Sequence, residues 1–182
     1  MSGLHSVWLM PEAGCQALLR DLVDELAARF DAPRFQPHLT LVEDQARSVD
    51  DLSPRVEHIA AGIEAFEVPI EAIGTSELYF RSFYARFEAA GPLLELKRRA
   101  IAMIAPGRIE DFMPHVSLLY GVADAAEKRL AQADIQRRVG GMRIRFDRIC
   151  VVASAKDIPI EEWAIRFTAL LGNPKTKLSS QS

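Results

Sequence analysis

The sequence predicts an α+β fold: two pseudo-symmetric lobes of antiparallel sheet, flanked by helices, around a central cleft. Three observations lead there. The order strand, helix, Pro-His strand, helix, strand occurs twice. The pairs Pro37-His38 and Pro114-His115 stand 77 positions apart, and the same offset carries Val7 onto Tyr84 and Val68 onto Arg145 in the flanking strands. Repeats of solenoids are shorter and more numerous, so this duplication reads as two layered α+β units that face one another.

Each element has its own local reason. Ser6 to Met10 reads as a short strand, and Pro11 opens a helix with Leu18, Leu19, Leu22, Val23, Leu26 and Phe30 on one face. Pro33 and Pro37 end that pattern, and His38 to Val42 reads as a strand closed by Glu43-Asp44. Ser53 and Pro54 suit the N-cap and first position of a helix carrying Val56, Ile59 and Ile63. Phe66 to Ile73, ending at Gly74, is the next strand. In the second half Phe80 to Phe87 is strand-like, Leu93, Leu96, Ala100 and Met103 mark a helix face, and Pro114 introduces the strand His115 to Leu119. Asp124 and Glu127 form a capping pair for a helix through Leu130 and Ala133, which Gly140-Gly141 ends. Met142 to Ala153 and Trp163 to Leu170 are the last strands.

Composition narrows the function classes. A chain of 182 residues, 49% hydrophobic and 26% charged, holds a sizeable core without metals or cross-links. The expected organisation is one bilobal domain over residues 1–172, with halves at about 1–75 and 76–153, a final strand at about 161–171 and a disordered polar tail over 173–182. A net charge of −3 gives no field that would collect nucleic acid in bulk or an anionic membrane surface. Cys15 and Cys150 fit neither a metal spacing nor a disulfide framework, so a reducing, cytoplasmic setting is expected. The N-terminus lacks a basic segment followed by an apolar one, and no apolar run approaches ~18 residues.

The chemistry sits on the Pro-His strands. Alternation puts His38, Thr40 and Val42 on one face of the first and Leu39 and Leu41 on the other; it likewise groups His115 with Ser117. Each strand thus presents an imidazole beside a hydroxyl, and a pseudo-twofold would set the two pairs around one small anionic group. A single His-x-Thr is common and carries no weight; two of them, each after proline and in duplicated halves, are specific.

Pro37-His38-Leu39-Thr40-Leu41 and Pro114-His115-Val116-Ser117-Leu118 resemble the paired signatures of the 2H phosphoesterase superfamily. With Ser6-Val7-Trp8, Pro33-Arg34-Phe35 and the run Met113 to Tyr120, the sequence resembles the cyclic phosphodiesterase branch from about Ser6 to Cys150. The resemblance implies a LigT-like fold and opening of nucleoside 2′,3′-cyclic phosphates or ADP-ribose 1″,2″-cyclic phosphate to phosphomonoesters. It implies that His38 and His115 divide the base and acid roles and that Thr40 and Ser117 donate to phosphate oxygens. It also implies that Trp8, Phe80 and Tyr120 surround the ligand. The chemistry agrees: hydrolysis needs a base, an acid and donors for the equatorial oxygens, and imidazole titrates near working pH. No metal and no cofactor is expected, the partner is a small cyclic phosphate, and the chain is expected to act as a monomer.

Each assignment has a competitor. Trp8, Phe80 and Tyr120 also read as ordinary aromatic core, and strict alternation from His115 turns Tyr120 away from the site. Arg34, Arg81 and Arg86 read as solvated or ion-paired surface and are not named as site residues. Glu43-Asp44 makes an incomplete metal set, and both cysteines read as packing residues. Two other functions stay open: a module that binds a nucleotide or RNA end without turnover, and a hydrolase or ligase-like enzyme acting on 2′,5′ linkages in RNA.

Overall fold

The two Pro-His strands lie side by side at the middle of the sheet. β2 (Leu39–Gln45) and β6 (His115–Leu119) run antiparallel, with Leu39 opposite Val116. Beyond β2 come β1 (His5–Pro11) and then β7 (Arg143–Ala153); beyond β6 come β5 (Phe83–Arg86) and then β4 (Ala72–Thr75). β3 (Phe66–Pro69) and β8 (Ala164–Leu170) both pair with β7, completing a curled antiparallel sheet of eight strands. The computed structural model describes residues 3–121 and 124–172. The tail expected to be disordered, 173–182, lies outside the described residues.

The halves of the sequence exchange their last strands. β4, from the first half, pairs with β5 of the second, and β7, from the second, pairs with β1 of the first. The single strand expected over Phe66 to Ile73 is therefore two strands on opposite edges. β3 follows β7, and Ile70 continues that pairing through bonds with Met142 and Gly141, whereas Glu71 already donates its N–H to Arg86. One extended segment thus changes partner between Ile70 and Glu71 and ties the two edges of the curled sheet together.

Helices cover one face of this sheet. α1 (Ala13–Phe30) buries Leu19, Leu22, Val23 and Leu26, the face its periodicity marks, while α3 (Gly91–Met103) buries Leu93, Leu96 and Ala100. α2 (Val49–Ala60) starts earlier than expected: Ser48, not Ser53, is the N-cap, accepting from the Asp51 N–H, with Asp50 and Asp51 facing the positive end of the helix. Pro54 falls inside α2, in its second turn, where it removes the bond to the carbonyl of the exposed residue Asp50. α4 (Ala125–Val139) is capped by Asp124 as expected, but Leu130 and Ala133 face solvent and the buried face is Lys128, Ala131, Ile135 and Val139. Among the described residues no helix is long and apolar enough to cross a membrane.

Two of the sheet's β-bulges reset the alternation just after the histidine-hydroxyl pairs. Trp8 pairs with Thr40 and Val7 with Val42, so Leu41 is an extra residue on β2; Tyr84 pairs with Ser117 and Phe83 with Leu119, so Leu118 is extra on β6. The bulged residues are related by the offset of 77. Their effect is the same: Val42, expected on the polar face, and Leu119, which unbroken alternation would put there, join the hydrophobic core, and the next residues, Glu43 and Tyr120, turn to the cleft. The register also pairs Tyr84 structurally with Trp8, one residue away from the Val7 match suggested by the sequence.

The segment before β5 is not strand. Phe80, expected to begin a strand, sits in a 3-10 turn over Tyr79–Arg81. Its loop is held from within: the Ser76 hydroxyl donates to the Arg81 carbonyl, Ser76 N–H to Ser82 O, and the buried ammonium of Lys128 to Ser76 O at 2.9 Å. Lys128 is 2% exposed and lies 3.5 Å from the Ser82 hydroxyl. Lys128→Met keeps the buried volume and leaves the loop acceptors unpaired, so it should lower stability by about 1–3 kcal/mol. Urea unfolding would show this, and a midpoint equal to that of the unsubstituted chain would remove Lys128 from the account of the loop.

Candidate active site

Both histidines are oriented by the same local device. His38 Nδ1 donates to Gln36 O at 2.7 Å, and His115 Nδ1 donates to Met113 O at 2.9 Å. A carbonyl only accepts, so each Nδ1 carries the proton and each Nε2 is the basic nitrogen of the neutral ring. The intervening residue is proline in both cases, Pro37 and Pro114, whose fixed φ holds the short turn across which the ring reaches back. This gives the Pro-His dipeptides a physical role that alternation alone does not supply.

The central strand pairing then assembles the set. With Leu39 opposite Val116 in an antiparallel pair, His38 falls opposite Ser117 and Thr40 opposite His115. All four line a cleft of about 720 Å3 on the sheet face away from the helices. His38, expected inside the strand, stands one residue before β2 begins and is buried, as is Ser117; Thr40 and His115 are partly exposed.

Aromatic rings brace the imidazoles from both sides. Trp8 stacks face to face on His38, with centroids 3.4 Å apart and planes 4° apart, while Tyr84 meets His115 edge on at 5.5 Å. Trp8, Phe80 and Tyr120 all line the cleft. Tyr120 also stacks on Phe35 at 3.6 Å, so it is both core and cleft wall, and burial holds its phenol well above the usual range. Trp163 was not marked by the sequence. It closes the aromatic wall against Trp8, Phe80 and Tyr120 and donates Nε1–H to Ile158 O. It follows the duplicated halves, so no repeat pointed to it.

Two features differ from expectation. The Ser117 hydroxyl donates to the Phe80 carbonyl at 2.8 Å, so its hydrogen is committed and must rotate to reach a ligand. Arg81 lines the cleft, and its Nε is buried without a hydrogen-bond partner, whereas Arg34 pairs with Asp24 and Arg86 with Glu71. Among the described residues no group of three or more His, Cys, Asp or Glu side chains is arranged to hold a metal ion.

Electrostatics separate the two imidazoles. Desolvation pushes His38 down to about 4, outweighing its bond to Gln36, and the nearby His115 acts in the same direction. Desolvation also lowers His115, again against its backbone bond; Arg81 adds to the lowering, while the carboxylate of Glu43 opposes it. Glu43 reaches the cleft only because the bulge at Leu41 turns it there.

A curled antiparallel sheet with a histidine-hydroxyl pair on each of its central strands is a LigT-like fold, the architecture of the 2H phosphoesterases. The chain belongs to the 2′-5′ RNA ligase superfamily, whose family model matches residues 11–158. It is similar to a cyclic phosphodiesterase of Arabidopsis thaliana, 23% identical over a match of 164 residues, with 88% of this chain and 91% of that protein covered. The solved structure of TT0787 of Thermus thermophilus covers 92% of this chain and 97% of its own with a TM-score of 0.64 at 17% identity. E. coli LigT complexed with 3′-AMP covers 93% and 98% with a TM-score of 0.59 at 14% identity.

The His38 environment makes a pH prediction. Its folded pKa lies below the unfolded value near 6.5, so the unfolded chain binds the proton first as pH falls. Stability is then full above the unfolded value and is lost as pH drops through the interval down to about 4, by up to roughly 3 kcal/mol. His38→Gln should flatten this slope in urea melts at stepped pH. Equal slopes for the two proteins would contradict the assignment.

Proposed function

We propose that this chain is a cyclic phosphodiesterase that hydrolyses small cyclic phosphates on ribose, such as a nucleoside 2′,3′-cyclic phosphate or ADP-ribose 1″,2″-cyclic phosphate, to phosphomonoesters. One observation carries the reading: two imidazoles with the same tautomer and two hydroxyls stand around a single point of the sheet, with both Nε2 atoms left to act on a ligand. The similarity to the Arabidopsis cyclic phosphodiesterase and to LigT, solved with 3′-AMP, supports a nucleotide-like substrate.

In this mechanism His38 is the base. Its stronger desolvation keeps the ring neutral, and Nε2 takes the proton from the attacking water. His115 is the acid. Glu43 and the charge of the bound phosphate favour its protonated form, which returns a proton to the departing ribose oxygen. Thr40 donates to a non-bridging oxygen, and Ser117 does so once its hydroxyl leaves Phe80. Trp8 and Phe80 pack the ribose or base. One chain supplies all four groups, so the reaction needs no second copy, and the reading is of a monomer acting in the cytoplasm.

Incubation with nucleoside 2′,3′-cyclic phosphates in EDTA should give phosphomonoester with a bell-shaped pH profile. His38→Ala and His115→Ala should each lose about 10²- to 10⁴-fold in kcat. On a nitrophenyl phosphodiester, whose phenolate leaves without a proton, His115→Ala should recover most of its loss and His38→Ala should not. Recovery by the other variant would reverse the roles, and tight binding without product would leave a binding module.

A further inference from the structure

We propose that Arg81 is a further catalytic residue, its guanidinium binding the non-bridging oxygens of the reacting phosphate beside His115. This rests on the phosphodiesterase reading above and adds a permanently charged group to its two imidazoles and two hydroxyls.

Three observations lead to Arg81. The first is its lack of a partner. Of the three arginines beside the motif segments, Arg34 and Arg86 are paired with carboxylates, whereas no carboxylate among the described residues lies within ion-pair distance of Arg81 and its Nε is buried without an acceptor. A desolvated guanidinium N–H costs free energy unless an anion meets it. The second is placement. Arg81 lines the same cleft as His38, Thr40 and His115, and its Cζ lies 5.8 Å from the centre of the Tyr84 ring, which also meets His115 edge on. Its charge is near enough to disfavour protonation of His115 in the unliganded site. An anion between the two would remove that conflict.

The third observation is rigidity. Arg81 closes the 3-10 turn; its N–H bonds Leu78 O, its carbonyl accepts from Ser76, and Lys128 anchors Ser76 from below. The guanidinium therefore starts from a fixed backbone and an aromatic support, and little entropy is lost in meeting a phosphate. The preceding residue holds the Ser117 hydrogen on its carbonyl until a ligand arrives, so the same loop presents a charged donor beside a hydroxyl that must first rotate. In the hydrolysis, the water oxygen bonds to phosphorus as the ribose P–O bond breaks. One proton passes from water to His38 and another from His115 to the ribose oxygen. Arg81 keeps its proton throughout and meets the charge growing on the equatorial oxygens.

The test is Arg81→Gln, Arg81→Lys and Arg81→Ala, assayed on a 5′-hydroxyl nucleoside 2′,3′-cyclic phosphate and on the same nucleotide with a 5′-phosphate. Inorganic phosphate binding is measured in parallel by calorimetry. Arg81→Gln should lose about 10²- to 10³-fold in kcat on both substrates with an unchanged melting temperature. Added guanidinium ion should restore turnover to Arg81→Ala while equal sodium chloride does not, and inorganic phosphate should bind Arg81→Gln more weakly than the unsubstituted chain. Turnover by Arg81→Gln within threefold of the unsubstituted rate would overturn the proposal. So would a loss confined to the 5′-phosphorylated substrate, which would make Arg81 a remote subsite. If the unsubstituted chain opens neither substrate, the phosphodiesterase reading fails by itself; equal phosphate binding by the two proteins, or none by either, then overturns the role of Arg81.

Discussion

The contact on which the rest of the structure depends is the pairing of β2 with β6 at Leu39 and Val116. Both side chains point into the core beneath the helices, and the residues on either side of each point the other way. That one register brings His38 across from Ser117 and Thr40 across from His115. A slip of one residue would send the imidazoles into the core and the leucines into the cleft. The strand exchange protects this register, because β4 and β7 each fasten one half of the sequence to the other and Phe66 to Thr75 bridges the two edges.

Burial sets the chemistry as well as the geometry. Trp8 shields His38 so thoroughly that the ring stays neutral through the physiological range, which makes it a source of acid lability. His115 is held less tightly, with Tyr84 at its edge and a carboxylate and a guanidinium acting on it in opposite directions. Two motifs that read alike in the sequence thus become unequal groups, and the inequality comes from neighbours that differ between the halves.

Much of the fold was legible because its signals are local. The periodicity of Leu19, Leu22, Val23 and Leu26, the Asp124 cap, and the two Pro-His strands all express contacts within a few residues. The early start of α2 was missed because Ser-Pro is itself a good helix opening, and only the Ser48 to Asp51 bond distinguishes the two. The bulges were not legible at all. Leu41 and Leu118 are ordinary strand residues, and what makes them extra is the register in which the partner strand pairs. Tyr120 therefore reads as facing away, and Glu43 only as part of an incomplete metal set. Arg81 reads as ordinary surface for a similar reason: an isolated arginine is ordinarily solvated, and its missing partner shows only in the folded surroundings.

By itself the sequence determined the duplication, the α+β class and the four polar residues His38, Thr40, His115 and Ser117, because each motif writes its imidazole, hydroxyl and proline into one short run. Only the tertiary structure decided which face Val42, Glu43, Leu119 and Tyr120 would take, which hydroxyl would already be engaged, and that Arg81 and Trp163 would join the cleft. Those outcomes depend on strand register and on burial. Both are properties of segments distant in the chain, and neither leaves a pattern within the segment it controls.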